Sequence, residues 1–177
     1  METTVISIIC IALIVIGGMT MSQGFLSSVD TTTTGLEDVS VRDEGIMRTN
    51  LSTLSATYLP SNKLEVVLRN DGQTKLTDFE KWDVIVHYYD NGGTYYVKWL
   101  PFTENTTLGD DQWRKRGIYL NADNLTAEVF EPGILNPGEE MVIEAKVNPV
   151  VGLATNNMVV TATPSGIPAS INFSGYS

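Results

Sequence analysis

VISIICIALIVI, residues 5–16, is an uninterrupted run of aliphatic and mostly β-branched side chains. Apart from Glu2, no charged residue precedes Asp30. A helix that is apolar on every side has to be buried in lipid, in a protein core or in a bundle of its own kind. With the weaker stretch GGMTMSQGF, residues 17–25, added, the uncharged length reaches the roughly 20 residues that span a bilayer. A secretory signal peptide would carry Lys or Arg before the apolar run and an Ala-x-Ala-like site after it. This chain begins Met1, Glu2, Thr3, Thr4 and has no such site. Either Met1 starts a plain anchor, or it is the first mature residue after removal of a basic leader, and the second reading is favoured.

Beyond residue 28, VDTTTTGLEDVSVRDEGIMRTN keeps a sparser apolar stripe at Val29, Leu36, Val39, Ile46 and Met47, continuing to Leu51 and Leu54 at close to helical spacing. Four consecutive Thr residues and Gly35 are poor helix formers, so a helix reaching about Asn50 requires packing to override propensity. The expected division is an assembly helix over residues 1–52, apolar over 3–29, followed by a head over 53–177.

The head alternates short β-branched and aromatic runs with turn signals, the pattern of an antiparallel sandwich. The runs are KLEVVLR (63–69), WDVIVHYYD (82–90), TYYVKWL (94–100), RGIYL (116–120), LTAEVF (125–130), EMVIEAKV (140–147) and NMVVTATP (157–164). Asn70-Asp71-Gly72, Asn91-Gly92-Gly93 and Asn136-Pro137-Gly138 supply reversals between them. The hairpin around Asn91-Gly92-Gly93 places Trp82, Val84 and Val86 on one face. The fold class is therefore α+β: a long apolar N-terminal helix and a β-sandwich head.

Charge and composition exclude several functions. With 11 Lys and Arg against 21 Asp and Glu, the net charge of -10 repels nucleic-acid phosphates. One Cys excludes an internal disulfide, and one Cys with one His cannot complete a zinc or blue-copper ligand set. No cofactor and no metal are expected, and no nucleophile, base and orienter can be named for catalysis. His87 reads as a packed or edge histidine, and Cys10, inside the aliphatic helix, as a small hydrophobe. The acidic pairs Glu37-Asp38, Asp43-Glu44, Asp110-Asp111 and Glu139-Glu140 have no EF-hand spacing and read as a solvated face. Trp113-Arg114-Lys115-Arg116 reads as an exposed loop, with a patch meeting a neighbouring subunit as the alternative. Four Asn-x-Ser/Thr sequons, at Asn50, Asn105, Asn124 and Asn172, mark candidate N-glycosylation sites on surface loops of a secreted protein. Asn105 and Asn124 lie in the more loop-like settings.

An aliphatic N-terminal helix at residues 5–18, followed by KLEVVLRNDGQTKL (63–76), ILNPGEEMVIEAKV (134–147) and the closing VVTATPSGIPASINF (159–173), resembles the archaeal flagellin, or archaellin, superfamily over most of the chain. Bacterial type IV pilins share the helix architecture, but carry Glu at the fifth mature position and usually a disulfide-closed loop. Here the fifth residue is Val5 and there is a single Cys. The resemblance implies an immunoglobulin-like head and a structural, non-enzymatic role as subunit of an extracellular, archaellum-type motility filament. It implies a homopolymer inserted in the membrane before assembly, with contacts to a surface layer or motor platform as further expectations. The alternatives are a membrane-anchored accessory component whose head binds the surface layer and a pilin-like adhesion subunit. The expected assembly core is Val5, Ile6, Ile8, Ile9, Ile11, Leu13, Ile14, Val15 and Ile16, with Gly17, Gly18 and Gly24 permitting close approach or bending. A binding module would instead need an exposed recognition patch, for which Tyr88, Tyr89, Tyr95, Tyr96 and Trp99 are the candidates, although alternating Tyr residues also suit ordinary strand packing.

Overall fold

In the computed structural model the described residues are 2–176, with side chains described for all of them except 2, 4, 30–38, 41 and 42. The chain divides into two compact units, Met1–Glu44 and Gly45–Ser177.

One helix, α1, runs over Glu2–Met47 for 46 residues, about 69 Å at 1.5 Å per residue. It continues without a break through the Thr run and Gly35, against their propensity. Leu36, assigned to the apolar stripe, lies outside the described side chains. Leu51 and Leu54, placed on the same stripe from sequence, are not helical: both belong to strand β1, which spans Leu51–Leu59 and crosses the boundary drawn after residue 52. Leu51 is buried and Leu54 exposed, with the register of β1 shifting between Thr53 and Ser55, so their three-residue spacing marks a bulge and not a helical stripe.

The head pairs β1 with β2 (Lys63–Asn70), then β7 (Glu140–Lys146), β5 (Gln112–Asn121) and β6 (Thr126–Ala127), in that order, as one sheet. The second sheet runs β4 (Tyr95–Leu100), β3 (Asp83–Tyr89), β8 (Asn156–Ala162) and β9 (Pro168–Ser174). Neighbouring strands are antiparallel throughout. The hairpin read from Asn91-Gly92-Gly93 forms between β3 and β4, with Gly93 at φ +78° and its N–H donated to Asp90 O at 3.1 Å. As read from sequence, Trp82, Val84 and Val86 face inward, at 2, 0 and 0% exposure. They meet Leu64, Val66 and Leu68 of β2 and Met141, Ile143 and Ala145 of β7 in one core.

Three sequence expectations for the head are corrected. β1 and β9 were not among the anticipated strands. Trp113-Arg114-Lys115-Arg116 is not a loop but lies in the first half of β5, with Trp113 fully buried. LTAEVF shrinks to the two residues of β6, with Leu125 in the left-handed region at φ 51° and Phe130 95% exposed. The acidic pairs are also not uniformly solvated. Glu139 is buried, its Oε2 accepting the Asn136 N–H at 2.8 Å, and Glu140 accepts the Ala122 N–H at 2.7 Å.

The entry of the chain into the head is tied down by the Asn70 turn. The fully buried Asn70 amide donates to Thr74 O and Leu135 O, and its Oδ1 accepts the Gly72 N–H. Asp71 and Gln73 donate backbone N–H groups to Asn50 O and Arg48 O at 2.9 and 2.7 Å. A Cβ at Gly72 would stand 2.5 Å from Asn50 N and 2.6 Å from Arg48 O, so this close approach requires glycine.

Tyr88 yields a pH prediction. It is fully buried and stacked on Tyr96 at 5.4 Å, and its hydroxyl has no hydrogen-bond partner among the described residues. Burial, seconded by the negative charge of Asp111, pushes the phenol well above its ordinary value of 10. Burial raises Tyr58 too, partly offset by the Val151 N–H. Because the folded pKa is raised, these groups contribute stability that is complete below about pH 10 and lost as pH rises from there toward the folded value. Tyr88→Phe is expected to change stability little at neutral pH and to reduce the loss above pH 10 in denaturant titrations. An unchanged alkaline slope would contradict this.

Candidate assembly surfaces

The helix presents its aliphatic side chains outward around its circumference. Val5, Ile8, Ile11 and Ile14 are 55, 62, 62 and 72% exposed, and Ile6, Ile9, Leu13, Val15 and Ile16 are likewise exposed. Val5–Val29 is long and apolar enough to cross a membrane. At 1.5 Å per residue it covers about 38 Å, a little more than a hydrocarbon core of roughly 30 Å, and α1 continues past it to Met47. Val29 and Val39 of the sparser stripe are exposed, as is Met47. Cys10 is an exposed free thiol, and a Cβ on Gly17, Gly18 or Gly24 would meet nothing within 4 Å.

On the head, the two sheets differ in what they show to the outside. The outer face of the five-stranded sheet is charged and internally neutralised: Arg114 Nη2 lies 2.6 Å from Glu144 Oε2, and Arg116 Nη1 lies 2.5 Å from Glu65 Oε2. Around the pair Val67 and Val142, Tyr119 and Ala122 form a small second apolar cluster on that side. The outer face of the four-stranded sheet is aromatic. Of the candidate recognition residues, Tyr88 turns inward and Tyr96 is half-buried against it, whereas Tyr89, Tyr95 and Trp99 are 41, 52 and 59% exposed. Antiparallel register sets Tyr89 opposite Tyr95, His87 opposite Val97 and Ile85 opposite Trp99. His87 therefore sits on a strand flanked by β4 and β8, with Nδ1 2.9 Å from Tyr95 Oη.

The four sequon asparagines, Asn50, Asn105, Asn124 and Asn172, are all exposed. Asn105 is in the loop after β4 and Asn124 in the β5–β6 turn, while Asn172 lies within β9.

Two depressions are notable among the described residues. One, of about 360 Å³, is lined by Asp78, Phe79, Glu80, Phe102, Glu104 and Lys115. There Lys115 Nζ stands 4.5 Å over the Phe79 ring, and burial lowers its pKa. The other, of about 390 Å³, lies over Glu65 and Arg116. Among the described residues no three His, Cys, Asp or Glu side chains are grouped to hold a metal. Sequence reasoning missed the buried Glu128, whose Oε1 accepts the Phe130 and Glu131 N–H groups and shapes the loop after β6. A carboxylate two residues before the N–H it caps is a recognisable local signal.

No protein-family model matches the chain. An uncharacterized protein of Archaeoglobus fulgidus is 25% identical over 174 residues, covering 98% of this chain and 95% of that protein. The archaeal flagellum of Methanospirillum hungatei superposes over 96% of this chain and 91% of its own, with a TM-score of 0.62 and 13% identity. Flagellin FlaB1 of Methanocaldococcus jannaschii covers 72% of this chain and 90% of its own, at a TM-score of 0.51 and 12% identity. The archaellum periplasmic stator protein FlaG of Sulfolobus acidocaldarius covers 71% and 99%, at a TM-score of 0.49 and 20% identity. The chain has the archaellin-like fold, an apolar N-terminal helix followed by an antiparallel β-sandwich.

Proposed function

We propose that this chain is the subunit of an extracellular, archaellum-type helical filament and polymerises through α1. The observation that carries the reading is the helix itself: nine aliphatic side chains between residues 5 and 16, exposed on all sides. Burying such side chains against copies of the same helix is worth about 1.5–3 kcal/mol each, on the order of 15 kcal/mol or more before association costs. A single membrane span satisfies the same side chains only until the subunit leaves the lipid, so in this reading membrane insertion precedes assembly. A head-to-tail contact that does not close on itself gives an open helical polymer. The likeness to the assembled flagellum of M. hungatei supports this role. In this reading the chain acts structurally rather than as an enzyme, in keeping with its likeness to the assembled flagellum.

The exposed sequons support glycosylation at one or more of Asn50, Asn105, Asn124 and Asn172. Mass spectrometry of filaments sheared from cells tests both points. This chain is expected as the dominant species, heavier than its sequence mass. Recovery only from membrane fractions would instead favour a membrane-anchored accessory component, and an unmodified mass would remove the glycan proposal.

A further inference from the structure

The head carries two apolar surfaces that its own fold leaves uncovered. The first is the outer face of β3 and β4, where Tyr89, Tyr95, Val97 and Trp99 are 41–59% exposed. It is organised: the Trp99 indole N–H donates to Asp83 Oδ1 at 2.8 Å, and the Tyr89 and Tyr95 rings pack at 5.1 Å. Half-buried Met158, Val160 and Ala162 of β8 extend it sideways. The second lies around β6, the edge strand of the other sheet, where Leu125, Val129 and Phe130 are 56, 78 and 95% exposed. Glu128 holds the backbone of Phe130 through its N–H, so this ring is presented by an anchored loop.

We propose that these two surfaces are halves of one contact, in which the β6 edge of one head seats Phe130 on the aromatic β3–β4 face of a neighbouring copy; the inference rests on the filament reading above. The filament reading supplies the occupant, since neighbouring heads are then copies of this chain, and several observations select the sheet face as its seat. The contact pairs different patches, so it is heterologous and propagates along a polymer rather than closing a pair. Strand addition at the β4 edge is discouraged, because Lys98 turns inward and pairs with Asp111 at 2.6 Å. The charged outer face of the five-stranded sheet is already neutralised within the chain. Area also decides. The four side chains of the aromatic face expose on the order of 400 Å², whereas each partner in a standard interface contributes about 800 Å². Such a contact is too small to hold free heads together. It suffices between subunits that their helices already keep side by side, at an effective concentration on the order of mM.

The test is disulfide cross-linking in filaments of the full chain carrying Cys10→Ala, Val97→Cys and Phe130→Cys together, with each single cysteine variant on the same Cys10→Ala background as control. Copper phenanthroline is the oxidant and non-reducing electrophoresis the readout. The double variant is expected to give a ladder extending beyond tetramers, and the single variants none. Intact filaments that yield only monomers overturn the contact, and dimers from either single variant overturn its heterologous form. As a second measurement, Phe130→Asp, at a position too exposed to disturb the core, is expected to lower the melting temperature of the filament and leave that of the isolated head unchanged. Equal filament melting with and without Phe130 overturns the proposal. If the parent chain forms no filaments at all, the filament reading itself fails, and this contact with it.

Discussion

Replacing Ile11 by Asp is expected to reduce filament yield below detection while the head stays folded. Ile11 lies in the middle of the aliphatic run and is 62% exposed in the single chain, so nothing within one subunit opposes the change. In the proposed polymer the same position would be buried among neighbouring helices, where a carboxylate with no partner costs several kcal/mol. That cost recurs at every subunit added, which is why the expected loss is complete rather than graded. The substitution also penalises membrane insertion, by about 2.5–3.5 kcal/mol on translocon scales. The amount of the variant in membranes therefore has to be measured beside the filaments. Normal membrane levels with no filaments locate the defect in assembly. Ile11→Val, which removes one methylene at a cost of about 0.5–1.5 kcal/mol, is expected to keep polymerising. Abundant filaments from Ile11→Asp would show that this stretch does not line the assembled core.

The largest effect on the head is expected at Trp82. Its side chain is 2% exposed, lies 5.3 Å from the Phe79 ring and donates its indole N–H to Thr77 O at 2.9 Å. Trp82→Ala removes the ring and leaves that carbonyl without its donor, at about 3–5 kcal/mol. Against a total of roughly 5–15 kcal/mol for a domain, this leaves the head marginal. The drop is expected in urea denaturation of the head, read by circular dichroism. Trp113→Phe separates the two contributions. Trp113 is equally buried, but its indole N–H has no partner among the described residues, so only packing against Phe102, 4.9 Å away, is lost. Trp82→Phe is expected to cost more than Trp113→Phe, and the reverse order would mean that the Thr77 hydrogen bond contributes little.

Where sequence and structure agree, the signal was local. β2, β3, β4, β7 and β8 are written as β-branched or aromatic runs bounded by Asn, Gly and Pro, and the chain folds them where those runs lie. β1 was hidden because LSTLSATYL carries Ser and Thr between its apolar positions, and β9 because it opens on Pro168, which a strand accepts at its first residue. The β5 charges read as a loop because their partners are remote in sequence. Glu144 lies 30 residues from Arg114 and Glu65 lies 51 from Arg116, and only the register of the sheet brings them together. The apolar N-terminal helix was legible because an all-apolar circumference is a property of composition alone. The aromatic face was half legible: the Tyr and Trp residues could be named, but which of them point outward depends on strand phase, and Tyr88 and Tyr96 turned away.

The central claim, that α1 is what polymerises, is tested most directly by comparing the full chain with one lacking residues 1–25 in light scattering and negative-stain electron microscopy. The full chain is expected to form long filaments, and the shortened one to remain a soluble, β-rich monomer at every concentration reached. Filaments formed by the shortened chain would contradict the account, because assembly would then reside in the sandwich and the apolar helix would serve only as an anchor.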